Sequence, residues 1–213
     1  MKRFNNILIA ILSIAILFPA FAEAKKKKVD IYELSFDENL EFPEIENDRQ
    51  ASRIQDYQYE AAVALKKQNY EVELMRNNEV IVVTLPAGQL FEANDTTLTS
   101  LGRTSLKPFL KYLKNPGFYK MLLVMHSDNT GSAQYTKWLT NARINAVFDW
   151  VEENESVDWV VPYAMGADDP LVDNNSISNR KQNRRLEIYL IPDEVMLAQS
   201  KRGKINIKQS LAK

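Results

Sequence analysis

The sequence predicts an α+β fold, a two-layer sandwich in which helices pack on one face of a mixed β-sheet. Three observations carry this. A strand, turn, strand signal occupies residues 70–85, helical and strand-like segments then alternate, and one last β-rich run closes the sequence. With 213 residues, 45% of them hydrophobic and 26% charged, the chain is long enough to bury one sizeable core.

The first element is an amphipathic helix over residues 49–69, where Ile54, Tyr57, Ala61, Ala64 and Leu65 recur at helical spacing without proline or glycine. Two strands follow, Tyr70–Met75 and Glu79–Leu85. Arg76, Asn77 and Asn78 between them form a turn, since asparagine tolerates left-handed backbone. After Pro86 and Gly88, the spacing of Leu98, Leu101, Leu106, Phe109, Leu110 and Leu113 predicts a helix that ends before Asn115-Pro116-Gly117.

The apolar run from Tyr119 to Met125 is short enough for a buried strand. A second long helix spans about Ala133 to Glu152, with Tyr135, Trp138, Leu139, Ala142, Ala146 and Trp150 on one face. A strand near Val160–Ala164, an Asp/Asn-rich loop over 166–178 and a final strand Leu186–Ile191 complete the order: two strands, helix and strand twice, then a last strand.

Outside this unit, residues 1–24 have the three parts of a secretory signal peptide: Lys2 and Arg3, an apolar run from Ile7 to Phe18, then Ala22 and Ala24 flanking Glu23. The run is shorter than the ~20 apolar residues of a spanning helix, so cleavage after Ala24 is expected. Residues 25–48 read as a charged linker, the Lys25–Lys28 run as a solvated start, and residues 193–213 as a C-terminal tail. The chain has no cysteine, which excludes disulfides and a lipidated thiol, and a net charge of −1 gives no nucleic-acid footprint.

The segment that carries chemistry is Met125-His126-Ser127-Asp128-Asn129-Thr130-Gly131-Ser132, where a strand runs into polar residues just before a helix. Arg143 lies one turn beyond Leu139 and borders the apolar face of that helix. An acid and a guanidinium on neighbouring elements can clamp a zwitterion, the acid taking an ammonium and the guanidinium gripping a carboxylate. Spacing equally allows a structural Asp128–Arg143 ion pair, or two independent roles. A second cluster, Asn179 to Arg185, concentrates positive charge and amide donors.

These two segments resemble the OmpA-like peptidoglycan-binding domain over about residues 70–191. The family's strand ending in His-Thr-Asp, its glycine and its Leu-Ser-x-x-Arg-Ala-x-x-Val helix are similar to His126-Ser127-Asp128, Gly131, then Leu139-Thr140, Arg143 and Val147. Its closing Asn-Arg-Arg-x-Glu-Ile is similar to Asn183-Arg184-Arg185-Leu186-Glu187-Ile188. The resemblance implies a βαβαββ-type core within residues 70–192, and noncatalytic binding of the diaminopimelate of a peptidoglycan stem peptide by Asp128 and Arg143. It further implies contacts from Asn94, Ser127, Thr136, Asn183 and Arg184, with Leu90 and Phe91 as pocket wall. Phe91 is equally readable as plain core.

Departures stand at Met125, where the family has glycine; at Thr136, where it has asparagine; and at Asn179, where it has glycine. The implied partner is peptidoglycan, together with outer-membrane or other envelope proteins and no nucleic acid, in the periplasm of a Gram-negative cell. A scaffold that keeps only the fold, docking a partner through residues 49–67, is the alternative.

His126 is the only histidine, which supports neither a multi-histidine zinc site nor a Ser-His-Asp hydrolase. Asp168, Asp169 and Asp173 lack the spacing of a calcium loop, so neither metal nor cofactor is expected. No nucleophile motif supports an enzyme.

Overall fold

The computed structural model describes residues 29–45 and 47–206. The expected signal peptide, the Lys25–Lys28 run and residues 207–213 lie outside the described residues. Among the described residues, no helix is long and apolar enough to cross a membrane.

The elements in chain order are α1 (Phe36–Glu41), α2 (Asp48–Lys66), β1 (Glu71–Met75), β2 (Val80–Pro86), α3 (Ala87–Leu90) and α4 (Ser100–Leu106). A 3₁₀ turn (Lys107–Leu113) continues α4, and β3 (Tyr119–His126), α5 (Ala133–Glu152), β4 (Val160–Gly166), α6 (Ile177–Asn183), β5 (Arg185–Pro192) and α7 (Glu194–Lys201) follow. One mixed sheet has the order β1-β2-β5-β3-β4, antiparallel throughout except for the parallel pair of β3 and β4. The predicted α+β class, with a mixed sheet and helices packed on it, is what the structure shows.

Period-two alternation sorts the central strands into two apolar faces. Ile81, Val83, Leu85, Met121, Leu123, Met125, Leu186, Ile188 and Leu190 join the core beneath the helices. Val80, Val82, Leu122, Val124, Tyr189 and Ile191 point the other way. Both β3 and β5 are buried on both faces, which is why Tyr119–Met125 reads as a nearly continuous apolar run. The buried Gln58 of α2 locks that helix to the sheet: its amide donates to the carbonyls of Glu79 (2.8 Å) and Leu190 (3.2 Å), and its oxygen accepts from Tyr119 (2.7 Å).

Four local expectations are corrected. The single helix over 98–113 divides at Pro108, which lacks an N–H for an i→i−4 bond, so the chain tightens into a 3₁₀ turn. The loop and cluster before β5 contain α6, started by Ser176 accepting from Asn179. The supposed tail forms α7, whose Leu197 carbonyl receives the Gln50 amide of α2 at 3.0 Å.

The fourth correction concerns the charged linker. Within residues 29–45, Ile31, Phe36 and Leu40 pack on the apolar cluster of the second sheet face, and Ile45 reaches the core on the first. α1 begins with a complete capping box between Ser35 and Glu38. Acidic neighbours hide those three apolar side chains from a composition reading, and the sheet supplies the surface that orders them.

Candidate functional site

β3 carries the chain to its end at His126, and the loop 127–132 turns it into α5. The Ser127 amide donates to the Gly166 carbonyl of β4 at 2.6 Å, pinning the first residue of the loop. Asp128 then folds back, one carboxylate oxygen accepting from the Thr130 amide at 2.7 Å and the other from an Arg184 guanidinium nitrogen. Gly131 takes φ +99°, a conformation that L side chains rarely adopt, and Ser132 caps α5 by accepting from the Tyr135 amide at 3.1 Å.

Arg143 leaves α5 and reaches across to the segment after α3. Its Nε donates to the Asp95 carbonyl at 2.9 Å and its Nη2 to the Glu92 carbonyl at 3.1 Å, while the guanidinium lies 5.0 Å from the Phe91 ring centre. Arg143 is only 5% exposed, yet no carboxylate of the described residues lies within ion-pair distance of it. The expected alternative, a structural Asp128–Arg143 pair, is therefore replaced by an Asp128–Arg184 pair.

Together these groups line a cleft of about 430 Å³, with Ala87, Gly88 and residues 91–94 on one wall, Ser127, Asp128, Thr130 and Gly131 on the other, and Tyr135, Leu139 and Arg143 along α5. Arg184 closes one side. Burial pushes the Asp128 carboxyl up, but hydrogen bonds from Thr130 and Arg184 outweigh it and hold it below the usual range, so it is ionised. Burial lowers the Arg143 pKa, reinforced by the nearby Arg184 and opposed by Tyr135 and Asp95.

Of the residues singled out in the sequence, Asp128, Arg143, Asn94, Ser127 and Arg184 meet at this cleft, as does Phe91. Two do not. Thr136 is buried and its hydroxyl donates to the Ala133 carbonyl of its own helix at 3.0 Å, the ordinary fate of a threonine inside a helix. Asn183 is fully buried and clasps residues 172–174, accepting from the Val172 amide (3.0 Å) and donating to the Val172 carbonyl and Asn174 Oδ1 (both 2.8 Å).

Arg185 likewise turns away, donating from Nε to Glu187 at 2.7 Å on the second sheet face. His126 is packed beside it, with Nε2 at 3.3 Å from the Glu187 carboxylate. Asp168 pairs with Lys137 at 3.4 Å, and Asp169 lies 3.8 Å from Arg185.

Sequence reasoning missed Thr130, Glu92 and Tyr135 as cleft residues. Tyr135 was legible only as part of an apolar helix face, and nothing local marks Glu92 as the carbonyl that anchors Arg143.

A single mixed sheet that ends in a cleft carrying two guanidinium groups and one ionised carboxylate is an α+β architecture with a charged cleft at one end. Residues 90–184 match the model of the OmpA family, a stretch that holds α5, Arg184 and most of both cleft walls. Similar solved structures include a MotB-like protein of Desulfovibrio vulgaris (TM-score 0.58, 18% identity, 67% of this chain and 98% of that one). The cell wall anchor of the type VI secretion system from Pseudomonas aeruginosa is another (0.52, 23%, 62% and 94%). The periplasmic domain of Helicobacter pylori MotB is a third (0.51, 19%, 62% and 88%). These likenesses show the shared fold. Among curated proteins, the probable lipoprotein YiaD of Escherichia coli K12 is 23% identical over 134 residues, and the chain spans 61% of its length.

Proposed function

We propose that this protein binds peptidoglycan without catalysis, holding the zwitterionic end of a diaminopimelate side chain between Asp128 and Arg143. The observation that carries the reading is Arg143, a buried guanidinium at the cleft with no carboxylate partner among the described residues. Carbonyls occupy its Nε and Nη2, and its Nη1 has no hydrogen bond to the described residues. A ligand carboxylate supplies the missing charge in the planar geometry a guanidinium favours.

Asp128 completes the recognition. Its present partner is Arg184, so an incoming ammonium takes over the carboxylate and frees Arg184 to help hold the ligand's anionic end. This exchange gives each charged group in the cleft an oppositely charged neighbour, with the ligand carboxylate shared by Arg143 and Arg184. Catalysis finds no support here: Asp128 is held as a carboxylate rather than an acid, and His126 is sealed beneath Glu187.

The signal-peptide-like pattern of residues 1–24 and the cell wall anchor among similar structures support a periplasmic, wall-associated location, with outer-membrane or other envelope proteins as further neighbours. The test is co-sedimentation of the purified chain with diaminopimelate-type sacculi. Wild type is expected to pellet, Asp128→Ala to remain in solution, and Arg143→Lys to lose most binding, because an ammonium cannot replace a planar fork. Folding is checked by circular dichroism. Failure of folded wild type to pellet would move the assignment to a scaffold that keeps only the fold.

A further inference from the structure

α5 presents two aromatic rings where it leaves the cleft. Tyr135 lines the cleft, and its hydroxyl faces Asn94 Oδ1 at 3.4 Å. Gly131 makes room for the ring: a Cβ there would meet Tyr135 Cδ1 at 2.9 Å. One turn further on, Trp138 lies beside it, ring centres 5.9 Å apart and planes inclined by 31°.

Trp138 is 56% exposed, and the residues of α5 that serve the core are Leu139, Ile144, Val147 and Val151. Folding therefore gives no reason for an indole at this position. The pair is held in place on one side by Gly131 and Asn94, open to water on the other, and continuous with the cleft through Tyr135.

We infer that Tyr135 and Trp138 form a stacking platform for a pyranose ring, and that its occupant is the glycan strand to which the stem peptide is attached. The inference rests on the peptidoglycan reading of the cleft and extends it to the sugar. In peptidoglycan the stem peptide is covalently joined to an amino sugar two residues before the diaminopimelate, so a cleft that holds that residue has sugar within a short peptide's reach. One face of a pyranose is a patch of C–H groups and its rim is hydroxyl and amide. Rings that combine an apolar face with a polar edge match that pattern. A protein partner would need a far larger surface, about 800 Å² per side in a stable complex, which two neighbouring rings do not approach.

Two defined probes separate the sugar from the peptide: a disaccharide-tetrapeptide released from diaminopimelate-type sacculi by a muramidase, and the same tetrapeptide freed of sugar by an amidase. Binding is measured by calorimetry and by the change in tryptophan emission, using the full chain purified from the envelope fraction. Wild type is expected to prefer the disaccharide form by about three- to tenfold, up to ~1.4 kcal/mol. Trp138→Ala is expected to bind free tetrapeptide as wild type does and to lose the preference, and Trp138→Tyr to keep most of it. Equal affinity of wild type for both probes, or a preference that survives in Trp138→Ala, overturns the glycan assignment and leaves the rings to a protein contact. If wild type binds neither probe, the stem-peptide reading itself fails and the platform falls with it.

Discussion

Glu187 shows how single residues hold the polar groups that the sheet buries. It sits on β5 facing away from the helices, accepts from Arg185 Nε at 2.7 Å and from the Tyr189 hydroxyl at 2.6 Å, and lies 3.3 Å from His126. Burial alone would raise its pKa, but the close approach of His126 and the hydrogen bond from Tyr189, with the charge of Arg185, carry it down to about 2 from 4.5. A folded pKa below the unfolded one means stability that is fully present above about pH 4.5 and is lost as pH falls toward 2. Glu187→Gln should therefore lower the thermal midpoint at pH 7 and flatten its decline between pH 4.5 and 2; parallel curves for the two proteins would refute the assignment. Asn183 allows a second test at this scale. Its clasp on residues 172–174 predicts that Asn183→Ala costs about 1–3 kcal/mol in denaturant unfolding while the folded protein pellets with sacculi as wild type does. The motif reading placed Asn183 next to Arg184 in sequence and so next to it in function. Neighbours at the end of a helix point to different sides, and only side-chain direction separates them.

At the scale of elements, Gly102 decides how closely α4 approaches the wall of the cleft. A Cβ on it would meet the Leu90 carbonyl oxygen at 2.8 Å and the Leu90 Cα at 2.9 Å, both backbone atoms that cannot swing aside. Gly102→Ala should push the segment after α3 away from α4, cost about 1–3 kcal/mol by overpacking, and weaken sacculus binding because that segment supplies the carbonyls that anchor Arg143. A variant as stable as wild type that still binds would show that the approach is slack. The same comparison explains which elements were legible. The extent of α5 followed from its helical spacing, although the buried face is Leu139, Ile144, Val147 and Val151 and leaves the expected Tyr135 and Trp138 exposed, and β3 followed from a run too short for a helix. α6, α7 and α1 were missed because helices of 7, 8 and 6 residues carry too few apolar positions to set a period, and each is held by tertiary contacts. Asp128 and Arg143 were legible because one strand-loop-helix motif contains both. The Asp128–Arg184 pair spans 56 residues and becomes visible only when β5 pairs with β3.

For the molecule as a whole, the segment 29–45 turns a one-sided sheet into a closed sandwich, and Lys120 is the point where it is fastened. Lys120 is the second residue of β3, is 1% exposed, and donates from Nζ to Asn39 Oδ1 at 3.0 Å and to the carbonyls of Asn39 and Phe42. Asn39 in turn donates to the Ile31 carbonyl and the Tyr163 hydroxyl, both at 2.6 Å, so that one lysine and one asparagine tie the segment to β3 and β4. No charge pattern in the sequence announces this, since a lysine inside an apolar strand looks like an interruption until its acceptors arrive from elsewhere in the chain. Burial lowers the Lys120 pKa to about 8 from 10.5, with Asp193 opposing the shift and Arg76 adding to it. Because the folded value lies below the unfolded one, the charged form is penalised on folding, and stability contributed by this group should rise as pH goes from about 8 to 10.5. Lys120→Met should remove that rise and, by taking away the donor shared by three acceptors, loosen the segment at neutral pH. Faster amide exchange over residues 31–42, with unchanged exchange in β5, would confirm the fastening. The contrast matters because the face beneath carries Val80, Val82, Leu122 and Val124. Uncovered, it is an apolar sheet surface of the kind that drives association, so a Phe36→Ala, Leu40→Ala double variant should self-associate in analytical ultracentrifugation. A monomer that stays soluble and keeps slow exchange over residues 31–42 would show that the segment holds by its polar ties alone.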